Sequence, residues 1–258
     1  MKKSSNWIFQ PQNIFLIFSL LVGITLVFIT PLGAGFDEDT HIARIWEISR
    51  FKFIPNQLLG QGPNFPQVFY KLSYRQKEII HPIGINFYKE NADLIIDWNN
   101  MINHQTRSLY FPLVYIPQAF IMGLFGRLLD TPVIILYFLL RLSYLFLYIV
   151  LVYWAIKIIP FGKNLLALFA FAPMAIIQAS IVSPDAISNG ISFLFIAWIF
   201  YLIKQKEGPL SKKYITITWA MVGLLAAVKI NSIHCCYYSS LFPNDFLIIR
   251  KSLLDFGW

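Results

Sequence analysis

The densest acidic run in this chain is Phe36-Asp37-Glu38-Asp39-Thr40-His41, in a sequence that is 57% hydrophobic and only 13% charged. Asp37, His41 and Arg44 follow one another at offsets of four and three, which puts them on one face of a helix. Glu38 lies about 100° round the same wheel. A carboxylate beside an imidazole can act as a general base, and paired carboxylates can hold a divalent cation such as Mg2+ or Mn2+ through oxygen. The same residues also read as a capping cluster, because a carboxylate at a helix start meets the positive end of the helix dipole. Asp185, in the turn Ser183-Pro184-Asp185 with Asn189 nearby, is a second acidic candidate and equally an N-cap. Zinc chemistry of the HExxH kind is excluded, since only one His stands at the right spacing.

Two cations sit inside apolar runs. Arg141 lies about a third of the way along one, and Lys229 near the end of another. Charges at membrane depth usually face an interior cavity. Both side chains suit phosphate oxygens, Arg as a fork and Lys as a point charge. Lys229 can also snorkel to an interface.

The elements that must position these groups are membrane spans. A mean hydropathy of +0.60, 24 Phe, 13 Tyr and 7 Trp exclude an ordinary soluble domain. Several apolar runs approach the roughly 20 residues that a helix needs to cross a bilayer. The fold class expected is an all-α integral membrane protein, a multi-span helical bundle. The net charge of +8 does not argue for a nucleic-acid partner, because the Lys residues fall largely in short loops, where they set topology. Cys235 and Cys236 are adjacent, with no metal-ligand spacing, and read as inert thiols.

Asn13–Thr30 is the first run. Basic residues ahead of it also describe a signal peptide, but its apolar core is long and Leu32-Gly33-Ala34 makes a poor cleavage site, so an uncleaved span is expected. Residues 31–111 form a long polar loop. Within it Glu38–Phe53 reads as a helix, capped by Asp37 or Asp39, ended by Pro55, and lying on the membrane surface with Trp46 in its apolar stripe. No structure is assigned to residues 56–110. Phe111–Leu129 is short and broken by Pro112 and Pro117. Val133–Ile159, Leu165–Val182, Ala186–Ile203 and Tyr214–Ile230 complete the apolar runs.

Charge tests this count. The N-terminus, the loop around Lys157 and Lys163, and the loop with Lys204, Lys206, Lys212 and Lys213 are basic and should all be cytoplasmic. An even number of crossings must then separate the N-terminus from Lys157, so one of the first three runs does not cross. Phe111–Leu129, with Gln118 and Gly123, is the weakest, and is expected to be re-entrant or interfacial. That parity makes the loop 31–111 extracytoplasmic and puts Asp185 on the same face as Asp37. Residues 1–229 form one transmembrane unit. Residues 230–258 lack a clean period and are expected to be a divergent tail, frameshifted or simply a short last loop.

An acidic pair just after the first span, a long outer loop and a later outer acidic residue resemble the GT-C class of membrane glycosyltransferases. More closely, the order of several short motifs looks like the bacterial family called domain of unknown function 2142. These motifs are Phe36-Asp37-Glu38 with His41 and Arg44, Tyr110-Phe111-Pro112 through Tyr115-Ile116-Pro117-Gln118, Arg141-Leu142, and Pro173-Met174 through Gln178-Ala179-Ser180 to Ser183-Pro184-Asp185. The resemblance covers about residues 14 to 229. The resemblance implies a GT-C-like domain in the plasma membrane that moves a sugar from a polyprenyl-phosphate donor to an envelope glycan acceptor. It implies Asp37 or Glu38 as base or metal ligand, Asp185 as the second acidic residue, His41 and Arg44 as substrate contacts, and Arg141 and Lys229 at the donor phosphate. The chain departs from the family by stopping where relatives continue with further spans. A transporter or flippase of lipid-linked intermediates, and an inactive gene fragment, are the rival readings.

Overall fold

The computed structural model describes residues 7–55, 64–73, 85–103, 110–205 and 211–228. Lys229 and the expected tail 230–258 lie outside the described residues. Three long apolar helices carry the fold: α1 (Pro11–Ile29), α6 (Val133–Ile158) and α9 (Asp185–Lys204), each of a length and composition that can cross a membrane. Their bounds fall within two residues of the apolar runs, because an uninterrupted apolar run satisfies its backbone only as helix. Between α1 and α6 come α2 (Glu38–Ser49), strand β1 (Asn64–Pro66), α3 (Gln67–Leu72), α4 (Ile85–Glu90), strand β2 (Met101–Asn103) and α5 (Ile116–Gly123). The two strands pair antiparallel, with Phe65 opposite Ile102. After α6 follow α7 (Lys163–Ala170), α8 (Pro173–Ala179) and, beyond α9, α10 (Lys212–Val228).

Side-chain contacts give the helix directions. Phe28 stacks near Phe138, Phe15 meets Tyr148, and Gly23 faces Leu145, so α1 runs antiparallel to α6. Gly190 of α9 faces Leu151, and Phe161 meets Phe200, so α9 runs parallel to α6. A Cβ on Gly190 would meet Leu151 Cδ1 at 2.8 Å; the missing side chain is what lets these helices approach so closely. Trp198 Nε1 donates to Thr218 Oγ1 at 3.0 Å and Tyr201 meets Tyr214, so α10 returns antiparallel to α9.

The expected span at 165–182 is corrected. It is two helices, α7 and α8, broken at Phe171–Ala172, with Ser180–Pro184 irregular. Pro173 explains the break, since it lacks an N–H and keeps the residue before it out of the helical region. The pair still makes the return journey: Tyr148 of α6 donates to Ala170 O at 2.6 Å, and Val182 ends beside Glu38.

The surface position expected for α2 is also corrected. The helix ends at Ser49 rather than Phe53, and Ile42, Ala43, Ile45 and Trp46 are buried. Its apolar stripe faces α5 and the strand pair instead of lipid: Trp46 Nε1 donates to Asn64 O at 2.8 Å and its ring meets Trp98. Asp37 stands at the N-cap position but gives no side-chain cap, and its backbone is left-handed at φ 52°.

Phe111–Leu129 forms a 3-10 turn (Pro112–Tyr115), α5 and a wide turn (Leu124–Leu128). Tyr115 lies near Tyr144, while Gly126 faces Leu136, so α5 lies antiparallel on the first half of α6 and both its ends stay at one end of the bundle.

Candidate functional site

Glu38 and Arg141 form the anchor beneath the site. Both side chains are 0% exposed. Arg141 Nε donates to Glu38 Oε1 at 2.7 Å and Nη2 to Oε2 at 2.8 Å. Its remaining N–H groups go to the end of α1: Nη1 to Val27 O (3.0 Å) and Thr30 O (2.6 Å), and Nη2 to Pro31 O (2.8 Å). A guanidinium has five N–H groups, and all are used. Glu38 accepts in addition from Val182 N (2.9 Å), Gly33 N (3.1 Å) and Gly35 N (3.3 Å). Gly33 makes this turn at φ 73°, where a Cβ would meet Ser73 Oγ at 2.1 Å.

This corrects two expectations. Glu38 is not a surface base, because five donors hold its carboxylate out of solvent. Arg141 has no N–H left for a phosphate. Arg44 is corrected as well. It is buried and donates to Glu47 Oε2 (2.7 Å), to Lys52 O (3.2 Å) and to Phe53 O, so it pins the far end of α2 and does not join Asp37 and His41.

What does assemble on top of the anchor is a different set. Val182 on Glu38 holds the start of α9 against the start of α2, and this brings Asp185 and Asp37 to bear on the same His41 and Tyr110. The Tyr110 hydroxyl feels the charges of both Asp185 and Asp37. His41 stacks edge-on with Tyr110, ring centroids 5.8 Å apart, and shares a 3.0 Å hydrogen bond between its Nδ1 and Tyr115 Oη. Burial pulls the His41 pKa down to about 4, against the opposing charges of Asp185, Asp37, Asp39 and Glu38. The imidazole is therefore neutral near pH 7. Burial, and then the Asp185 and Asp37 charges, raise the Tyr110 pKa and keep its phenol protonated.

Asp37 is exposed, whereas Asp185 is half-buried with its Oδ1 out of solvent. Among the described residues, no three His, Cys, Asp or Glu side chains gather closely enough to hold a metal ion. Asp37 and Asp185 do not by themselves make a resident metal centre; a two-carboxylate set is what Mg2+ uses when substrate phosphate completes its shell. Sequence reasoning missed Tyr110 and Tyr115 as members of the site. Their signal was their place two residues before each proline, Pro112 and Pro117, of the stretch Tyr110–Gln118.

The site lies where α1 ends, level with Arg141. α6, about 39 Å long at 1.5 Å per residue, continues past that level by two turns. Long apolar helices that bury their only deep charge in an internal pair define a polytopic helical membrane protein. The chain belongs to the family described as predicted membrane protein (DUF2142), whose model matches residues 20–239. Comparison with curated proteins and with solved structures gives no match.

Proposed function

We propose that this membrane protein is a glycosyltransferase of GT-C type, taking a sugar from a polyprenyl-phosphate donor to an envelope glycan on the outer face of the plasma membrane. The observation that carries the proposal is the convergence of Asp37 and Asp185, 148 positions apart in the sequence, on the same His41 and Tyr110. In this reading the acceptor hydroxyl oxygen forms a bond to the anomeric carbon. The bond from that carbon to the phosphate oxygen breaks, and the polyprenyl phosphate leaves with the electron pair. The hydroxyl proton passes to the Asp37 carboxylate, the more exposed of the two. Asp185, beside Tyr110, holds the acceptor, and neutral His41 offers a hydrogen bond without a competing charge. Asp37 and Asp185 would hold any Mg2+ or Mn2+ that arrives with the donor phosphate. With Arg141 committed to Glu38, Lys229 is the remaining cation assigned to that phosphate.

The test is the envelope glycan composition of a deletion strain complemented with the wild-type chain, Asp37→Asn or Asp185→Asn at matched membrane abundance. Wild type restores a lost sugar. Asp37→Asn lowers the transfer rate by about 100- to 10,000-fold, the usual range for loss of a general base. Full restoration by Asp37→Asn would assign the cluster a structural role and favour transport of lipid-linked intermediates.

A further inference from the structure

Two polar side chains behind the acidic face have no hydrogen-bonding partner among the described residues. Gln118 is 0% exposed, yet neither its amide oxygen nor its nitrogen meets a hydrogen-bonding group among the described residues. Tyr144 is 0% exposed, and its hydroxyl is likewise without one. Leaving such groups unsatisfied in an apolar interior costs free energy, and buried polar groups without protein partners are commonly met by ordered water.

Their positions are not random. Tyr144 lies within electrostatic reach of Tyr115, which hydrogen-bonds His41. Gln118 follows Tyr115 by three residues and so lies on the same face, buried like Tyr115 and Met122. In the antiparallel packing of α5 on α6, Gln118 falls between the Tyr115–Tyr144 approach and the Gly126–Leu136 contact. Both orphan groups therefore sit on the interior side of the His41–Tyr115 bond, while Asp37, Asp185 and Tyr110 sit on its exterior side.

We propose that Gln118 and Tyr144 bind an internal water, and that this water extends the His41–Tyr115 hydrogen bond into a continuous polar line from the acidic face to the α5–α6 seam. A phenol that donates to His41 Nδ1 keeps lone pairs that can accept from a water held by Tyr144 and Gln118. The line fixes the imidazole tautomer. As an outlet for the proton taken at Asp37 it rests on the glycosyl-transfer reading; as a hydrated site it does not.

The experiment uses the full chain in detergent, with Tyr144→Phe, Gln118→Leu and the double variant. Both single changes nearly preserve shape. If the two groups are simply unsatisfied, removing them is neutral or stabilising. If they share a water, each single variant lowers Tm by about 2–4 °C, and the double variant falls no further than the worse single one. Selective nitrogen-15 labelling of the four His residues, with His41→Gln giving the assignment, reads the line directly. Tyr144→Phe and Gln118→Leu should each move the His41 Nδ1 resonance, which loss of packing alone would leave in place. An unchanged or raised Tm in either single variant overturns the water site. A stationary His41 resonance overturns its link to the acidic face. Neither result depends on glycan transfer.

Discussion

Arg141 and Glu38 show how a charge is kept inside an apolar bundle. Removing one partner of a buried pair strands the other, at a cost of about 3–5 kcal/mol. Arg141→Met or Glu38→Gln should therefore lower the thermal midpoint sharply in detergent, whereas a surface change such as Lys157→Met should not. A wild-type midpoint in either variant would contradict the anchor role. His41 makes a prediction of opposite character, in pH. Its folded pKa, about 4, lies below the ordinary 6.5, so the unfolded chain binds the extra proton first. Its contribution to stability is complete above pH 6.5 and is lost as pH falls toward about 4. At pH 5 the loss is about 2 kcal/mol, from roughly 1.4 kcal/mol per pH unit. Melting curves at pH 7.5 and 5 should show it, and His41→Gln should remove most of the difference. An unaltered pH slope in that variant would rule His41 out as its source. At this scale the sequence was a partial guide. Asp37 and His41 stood out because acidic groups are rare here. The partnership of Glu38 with Arg141 spans 103 positions, and no local period carries such a pairing.

Among the elements, α1, α6 and α9 were legible to within two residues, because each is a continuous apolar run flanked by polar sequence. The helix pair α7–α8 was readable only as one span. Hydropathy averages over Pro173 and the Phe171–Ala172 break, although the proline itself announces the interruption. The mistake at α2 was of another kind. An apolar stripe with Trp46 is the same signal whether the stripe meets lipid or protein, and residues from 64–66 and 116–123, which cover it here, lie in stretches where periodicity is weak. The break between α8 and α9 has a use. It frees Val182 N to bond Glu38, which an unbroken helix would have spent on its own ladder.

For the whole molecule, the described helices pass back and forth. α1, α6, the α7–α8 pair, α9 and α10 alternate in direction, and the 112–128 segment turns back at one end. Sidedness is a prediction. Thr131→Cys, with Cys235 and Cys236 changed to Ser, should react in intact cells with an impermeant thiol reagent applied from outside. Protection until the membrane is opened would restore a crossing at 111–129 and undo the charge-parity argument.

The Glu38–Arg141 pair also bears on how such a chain enters the membrane in the first place. α6 carries no charge except Arg141 and, in its last turn, Lys157. A lone Arg near the middle of an inserting helix costs about 2.5–3.5 kcal/mol. Every group that satisfies Arg141 precedes it in the sequence: the carbonyls of Val27, Thr30 and Pro31 and the carboxylate of Glu38. During synthesis from the N-terminus, the partners are thus made before the charge emerges. α1 and the turn after it serve as a receptor waiting at the site of insertion, and the order of the chain is itself part of what makes α6 a tolerable membrane helix.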